Sequence, residues 1–233
     1  MNMKKIFTTV SILCTLFTST VAFAQGTKNA GQDAATNKGD VLFDFGIGLV
    51  GNEYAYSHHN NNYNNNNGYY NESRYQLPTF SLALQKAFWE DITIGGQLSF
   101  NGGGTKYDDY YKNDGYYRKY VKNSNFNTFV TARGEYHFNR LIGLDRKFDL
   151  YAGVLVGFRI SYLVDSYTEG WSNPDGSGNG NWGPNTYKST GTDVAPIIGP
   201  FGGFRYYFVK NVGVYGEVGW AITAIRGGLV WRL

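Results

Sequence analysis

Apolar and polar residues alternate with a period of two through most of the chain after position 39. In the first predicted strand, 40–50, Val41, Phe43, Phe45, Ile47 and Leu49 share one face and Leu42, Asp44, Gly46 and Gly48 the other. In 76–87, Phe80, Leu82 and Leu84 oppose Thr79, Ser81, Ala83 and Gln85, and in 92–100 Ile92, Ile94, Leu98 and Phe100 oppose Thr93, Gln97 and Ser99. The pattern continues through 125–138, 148–162, 194–208, 212–221 and 225–233. Side chains on a strand point alternately to its two faces, so each segment presents one apolar and one small or polar face. Pro78 is acceptable at a strand start, where a missing donor costs little, while Pro196, Gly199 and Pro200 predict a kinked or bulged upper half for the sixth strand.

The connections have their own rhythm. Segments 51–75, 101–124 and 163–192 are long and polar, and those between them are short to medium, as is 222–224. The run from Asn60 to Asn67 buries too little apolar area to offset chain ordering and reads as a solvated loop. The tyrosine-rich loop, with Tyr107, Tyr110, Tyr111, Tyr116, Tyr117 and Tyr120, reads either as a contact surface or as strands continuing beyond a membrane. Eight strands joined to their sequence neighbours, with long loops at one end and short turns at the other, predict an all-β fold: an eight-stranded antiparallel up-and-down transmembrane β-barrel over 39–233.

Alternation alone does not say which face meets water, because a soluble barrel turns its apolar face inward. Volume decides. An eight-stranded barrel has room inside for modest side chains or one small ligand. Phe43, Phe45, Phe80, Tyr136, Phe138, Phe158, Phe204, Tyr206, Trp220 and Trp231 all lie on the apolar face and would overfill it. Aromatics also collect at the two ends of that face, Tyr136, Phe148, Tyr206 and Trp231 at one and Phe100, Phe126, Tyr162 and Trp220 at the other, around an aliphatic middle. Such girdles mark a barrel that crosses a bilayer.

Composition agrees. Aromatic residues make up 18% of the 233 residues, with 20 Tyr and 16 Phe. Residues 1–24 read as a secretory signal peptide: Lys4 and Lys5 precede an apolar run, and Ala22-Phe23-Ala24 forms a small-x-small cleavage pattern before Gln25. Residues 25–38 are polar, lack periodicity and read as a flexible lead-in. Cys14, the single cysteine, lies in the signal segment, so the exported chain offers neither a disulfide framework nor a thiol nucleophile. The formal charge of +3 falls to +1 when Lys4 and Lys5 are removed, which leaves no electrostatic footprint for nucleic acid.

The segments Arg133-Gly-Glu-Tyr-His-Phe, Tyr151-Ala-Gly-Val-Leu-Val-Gly-Phe-Arg, Gly202-Gly-Phe-Arg-Tyr-Tyr-Phe and Gly227-Gly-Leu-Val-Trp-Arg-Leu resemble the Gram-negative outer membrane β-barrel domain family, related in architecture to the OmpA and OmpX barrels. The resemblance spans the mature chain and specifies no activity. It implies outer-membrane lipid around the barrel, and periplasmic chaperones and the barrel assembly machinery as assembly partners. Leu233 departs from the terminal Phe usual in that family, although Trp231 and Leu233 keep the alternate apolar spacing.

The chemistry lies on the inward face, where Asp44, Arg133, Glu135, Arg159, Arg205, Glu217, Arg226 and Arg232 fall. An unpaired charge in a narrow, low-dielectric interior is expensive, so these residues predict an ion-pair network of Arg133, Glu135, Arg159, Arg205, Glu217 and Arg226, with Glu217 bonded to arginines of adjacent strands. A network of this kind is either a plug or the lining of a gated pore. His58 and His59 form a solvated loop pair without further ligands. His137 shares a face with Glu135, yet no Ser is placed by spacing to complete a nucleophilic group. Asp175-Gly-Ser-Gly-Asn-Gly carries Thr186 where a calcium loop needs its bidentate Glu, and reads as a glycine-rich turn. No catalytic, cofactor or metal site is expected. The expected role is structural or interactive, through 51–75, 101–124 and 163–192 toward an envelope protein or surface ligand. A small porin-like channel is the alternative, and a lipid-modifying enzyme is a third reading.

Overall fold

The computed structural model describes residues 35–49, 68–112, 116–172 and 185–233. The expected signal segment, most of the expected lead-in, His58, His59, the asparagine run and Asp175–Gly180 lie outside the described residues. Nine strands are described: β1 (Val41–Gly48), β2 (Gly68–Gln76), β3 (Thr79–Trp89), β4 (Ile92–Lys112), β5 (Tyr116–His137), β6 (Phe148–Ser172), β7 (Asn185–Val209), β8 (Val212–Gly219) and β9 (Ile225–Arg232). One helical turn, α1 (Asn139–Ile142), joins β5 to β6. No helix among the described residues is long and apolar enough to cross a membrane, which says nothing of strands.

Eight of the strands close a ring. Each of β3 to β9 pairs antiparallel with its sequence neighbour, β1 pairs with β3, and β1 meets β9 from Leu42↔Arg232 to Gly48↔Arg226. That last ladder satisfies both edges and makes the sheet a closed barrel. The ninth strand, β2, is an upward continuation of β3. Both pair with β4, through Gln76↔Gly103 and Phe80↔Phe100, and the break falls at Leu77-Pro78, where proline has no donor to give the ladder.

The wall is lopsided, and here the structure corrects the loop assignments. β1, β8 and β9 have 8 residues each, whereas β4 has 21, β5 22, β6 25 and β7 25. Segments 101–124 and 163–192 are therefore largely strand, as is 68–76 from the first long connection. Every residue of β4 from Ile92 to Lys112 faces one of β5 from Tyr136 back to Tyr116. Tyr, Lys, Asn and Gly residues look like loop composition, but a continuous cross-strand ladder satisfies their backbone. The kink expected near Pro196 and Pro200 is absent: β6 and β7 stay in register from Glu169↔Asn185 to Phe148↔Tyr206. β8 joins β7 only from Phe201↔Gly219 downward, so both prolines lie above that ladder, where a missing N–H costs no ladder bond.

The outward face is apolar and exposed: Leu150, Val154, Val156, Phe158 and Ile160 run up β6, and Phe204, Val214, Val218 and Leu229 lie on β7 to β9. At its lower end Tyr136–Phe138, Phe148–Tyr206 and Phe43–Trp231 pack as ring pairs with centroids 5.1, 4.9 and 5.9 Å apart. Phe100–Phe126 stack at 6.2 Å near the upper end. Inside, parity places Asp44, Gln85, Thr93, Gln97, Arg133, Glu135, Asp149, Tyr151, Arg205, Tyr215, Glu217 and Arg226, all buried. Gly46 makes room for one of them: a Cβ there would collide with the Tyr215 hydroxyl.

Candidate functional site

The inward residues form three layers. The lowest is a strap made by the described end of the polar lead-in. Asp40 N–H donates to the Asn37 carbonyl (3.0 Å) and Gly39 N–H to that of Ala87 (2.8 Å), turning the chain across the lower mouth. Ala35 and Thr36 are buried there. Ala35 packs against Tyr207, Tyr215 and Val230, and Thr36 Oγ1 donates to Asp149 Oδ2 (3.2 Å). Arg232 reaches across from β9 to donate to the carbonyls of Ala35 and Lys210, with its guanidinium 4.5 Å from the centroid of the Tyr207 ring. Ala35 and Thr36 are thus part of the packed interior, while Lys38 and Gly39 stay exposed. The period-two pattern gave no sign of this, because the strap is not a strand.

The middle layer is ionic. Arg205 on β7 donates from Nη1 to Glu135 Oε2 (2.9 Å) and Asp149 Oδ2 (3.2 Å), and from Nη2 to Asp44 Oδ2 (3.1 Å) and Glu135 Oε1 (3.2 Å). Arg133 on β5 donates to Glu135, to Glu217 and, from Nη1, to Gln97 Oε1 (2.9 Å). Arg226 Nη2 donates to Glu217 Oε1 (2.7 Å), and the Tyr151 hydroxyl donates to Glu217 Oε2 (3.3 Å). The ion pairs form one unbranched run, Arg226–Glu217–Arg133–Glu135–Arg205, which forks at its end to Asp44 and Asp149. Aromatic faces complete the shell: the Arg133 guanidinium lies 4.0 Å from the Phe201 ring centroid and that of Arg205 4.0 Å from Tyr151. Planar guanidinium suits both tasks, since it forks to carboxylates and stacks on rings.

Five of the six expected network residues meet in this layer. Arg159 does not. It pairs with Asp193 (3.2 Å) four residues further up β6 than Leu155, the register partner of Arg133, and Asp193 is half exposed. Parity set its face correctly, but height along the strand separates it from the others. Glu217 has one arginine on the adjacent strand, Arg226, and its other partner, Arg133, comes from across the lumen. Asp149, which joins the run through Arg205, was legible as inward but carried no sequence signal for its level.

His137 belongs to the same layer. Its Nδ1 donates to Asp149 Oδ1 (2.8 Å) and its Nε2 lies 3.1 Å from Thr93 Oγ1. Thr93 Oγ1 also lies 3.1 Å from Gln85 Oε1 and 3.3 Å from Glu135 Oε2. A hydroxyl, an imidazole and a carboxylate in line are the parts of a nucleophilic group, and the cross-strand pairing Thr93↔Glu135 was the signal that spacing alone lacked. Thr93 is 0% exposed and His137 2%, so no substrate carbonyl can approach the hydroxyl. Among the described residues no group of three His, Cys, Asp or Glu is arranged to hold a metal ion.

The upper layer is apolar, which the sequence reading did not anticipate. Phe129, Tyr151, Leu155, Phe201 and Ile222 form a buried cluster, with Ile197 and Ala221 packed against it. Ile222 comes from the turn between β8 and β9. That turn folds inward, with Trp220 N–H donating to the Pro200 carbonyl (3.2 Å) and Gly219 N–H to that of Ala224 (3.1 Å). On the β3–β5 wall the same level carries Gln97–Ser99–Ser81 and Asn127–Asn101–Thr79 hydrogen-bonded chains. The strap at one mouth and Ile222 at the other leave the charged layer shielded from both ends.

No protein-family model matches the chain, and no curated protein matches it. Solved structures that match include the N-terminal β-barrel domain of Pseudomonas aeruginosa OprF, at 10% identity and a TM-score of 0.38, covering 85% of this chain and 100% of that one. Ail, the attachment invasion locus protein of Yersinia pestis, matches at 9% identity and a TM-score of 0.38, covering 83% of this chain and 97% of that one. The eight-stranded closure described above rests on this chain's own strand pairings, and at these identities neither likeness carries a role across.

Proposed function

We propose that this protein is a non-enzymatic outer-membrane β-barrel that is closed to solutes and acts through the strands rising beyond the membrane. The observation that carries the reading is the contrast between its faces. The outside presents a continuous aliphatic belt between aromatic ends. The inside is filled by paired charges and a packed apolar layer. A water-soluble barrel has no use for exposed Val156, Phe158 and Phe204, whereas hydrocarbon favours them. The short strands β1, β8 and β9, with 8 residues each, are near the length a tilted span needs, so the upper parts of β4 to β7 stand clear of the bilayer. This tall, tyrosine-rich sheet is the surface available to an envelope protein or surface ligand.

The porin reading requires an open lumen, and the three filled layers argue against it. Planar-bilayer recording of the refolded mature protein tests the point. Expected is an insulating membrane with no steady openings. Stable unitary openings whose size changes in a Glu217→Gln variant would show a conducting pore lined by this network and overturn the closed-barrel reading.

A further inference from the structure

The ladders between β4, β5, β6 and β7 have no register shift, so the face that holds Ser99, Phe129 and Arg159 continues upward past the barrel. Where β1, β8 and β9 have ended, this face becomes the inner wall of an open trough, with the Phe129–Ile222 layer as its floor. Residues paired across an antiparallel sheet point to the same side, so the trough is lined in rows. Thr105, Asn123, Asp165 and Ser189 make one row, and Tyr107, Val121, Tyr167 and Tyr187 make the next. The Tyr167 and Tyr187 rings lie 6.3 Å apart at 38°, and Tyr187 is 61% exposed. Asp165 and Ser189 are exposed as well. Higher still, the register puts Tyr111, Tyr117 and Trp171 on the same face. At 3.4 Å per residue this second aromatic row is about 14 Å beyond the first.

Charge narrows what such a trough can hold. Arg159 and Asp193 at its foot pair with each other. Above them the register places Arg74 and Lys119 on this face against Glu72, Asp109, Asp165 and Glu169. An acidic excess of this kind disfavours phosphate, sulfate and uronate ligands. A protein interface would need an apolar centre, and Val121 is the single aliphatic residue in the two described rows. A neutral polyol matches what is there. Its hydroxyls donate to carboxylate and amide oxygens and accept from Asn, Thr and Ser, while its ring C–H groups pack on the electron-rich faces of tyrosine. Two aromatic rows set apart along the trough suit an extended chain of rings better than a single one.

We infer that this trough binds a neutral oligosaccharide, with Tyr167 and Tyr187 against its ring faces and Asn123, Asp165 and Ser189 on its hydroxyls. The inference rests on the outer-membrane reading above and gives its surface ligand a chemical class.

The test applies the refolded mature protein, in a detergent whose headgroup carries no sugar, to a printed array of neutral and acidic oligosaccharides. The neutral glycan that binds most strongly is then titrated by calorimetry. Signals are expected on neutral glycans alone. Tyr187→Ala and Asp165→Ala should each weaken binding about tenfold. Gly191→Phe obstructs the trough directly: a Cβ at Gly191 would meet nothing within 4 Å, so the ring enters open space without displacing the wall. It should weaken binding at least as much. Tyr120→Ala, on the opposite face of β5, should leave binding unchanged. Heat-dependent gel mobility of the variants, expected to match the parent, separates loss of the site from loss of folding. No signal on neutral glycans, equal signals on acidic ones, or undiminished binding by folded Tyr187→Ala and Gly191→Phe proteins would overturn the site. A parent protein that fails to float with lipid vesicles in a density gradient would instead overturn the membrane reading, whatever the array shows.

Discussion

Replacing Arg205 by methionine is expected to lower stability by about 3–5 kcal/mol, read as a shift of the urea unfolding midpoint in micelles or vesicles. The physical reason is the number of partners. Arg205 is 0% exposed and its two terminal nitrogens serve Asp44, Glu135 and Asp149 at 2.9 to 3.2 Å. Methionine keeps the packing on the Tyr151 ring but leaves these carboxylates without their shared cation in a low-dielectric interior. Lysine at the same position should recover only part of the loss, because one ammonium is a point charge and cannot fork to acceptors on β1, β5 and β6 together. Asp193→Asn serves as the control. It breaks the Arg159 pair, whose acceptor is 54% exposed, and should cost no more than about 1 kcal/mol. An Arg205→Met protein within 1 kcal/mol of the parent would mean the layer does not hold the barrel together.

Val156→Arg is expected to destabilise the membrane-inserted protein by about 2–4 kcal/mol, whereas Tyr162→Arg should cost about 1 kcal/mol or less. Both residues are on the outward face of β6, with 50% and 40% of their surface exposed, so neither change disturbs the interior. They differ in depth. Val156 pairs with Ala132 and Ile198 midway between the aromatic ends, and Tyr162 belongs to the upper ring. A charge at mid-depth is dragged into hydrocarbon, while one at the ring reaches water and headgroups. In a water-soluble barrel the two substitutions would be equivalent, because an exposed arginine is well solvated at any height. Urea titration of both variants in vesicles gives the comparison.

The legibility of this molecule follows from what a period of two can encode. Parity tells which face a side chain occupies, and it placed Asp44, Arg133, Glu135, Asp149, Arg205, Glu217 and Arg226 inside the barrel. Height is set by register, which depends on turn lengths and on partners distant in sequence. Parity alone therefore groups Arg159 with arginines that lie lower on neighbouring strands, and it matches Thr93 to His137 only once β4 and β5 are aligned. Composition misled where backbone pairing substitutes for burial: the Gly102–Gly104 run and the tyrosines after it form strand because each has a ladder partner on β5. The strap at Ala35–Asp40 and the inward turn at Ile222 have no period at all, and their sealing of the two mouths emerges only when the ring is closed. Pro78 was legible as a strand start, since the break it makes is local.

Spin labels at single cysteines are the most direct test of which face meets lipid, and the exported chain lacks competing thiols because Cys14 lies in the predicted signal segment. Labels placed one at a time at 152, 154, 155, 156, 158 and 160 on β6, in protein reconstituted into vesicles, would be relaxed by dissolved oxygen and by a water-soluble nickel chelate. Gly153 and Gly157 are left intact because a Cβ at either would collide with the β5 backbone. Expected is high oxygen and low nickel relaxation at 152, 154, 156, 158 and 160, with both reagents excluded at the buried Leu155 between them. Nickel access at the even positions, or an oxygen profile without alternation, would place this face in water and contradict the membrane barrel.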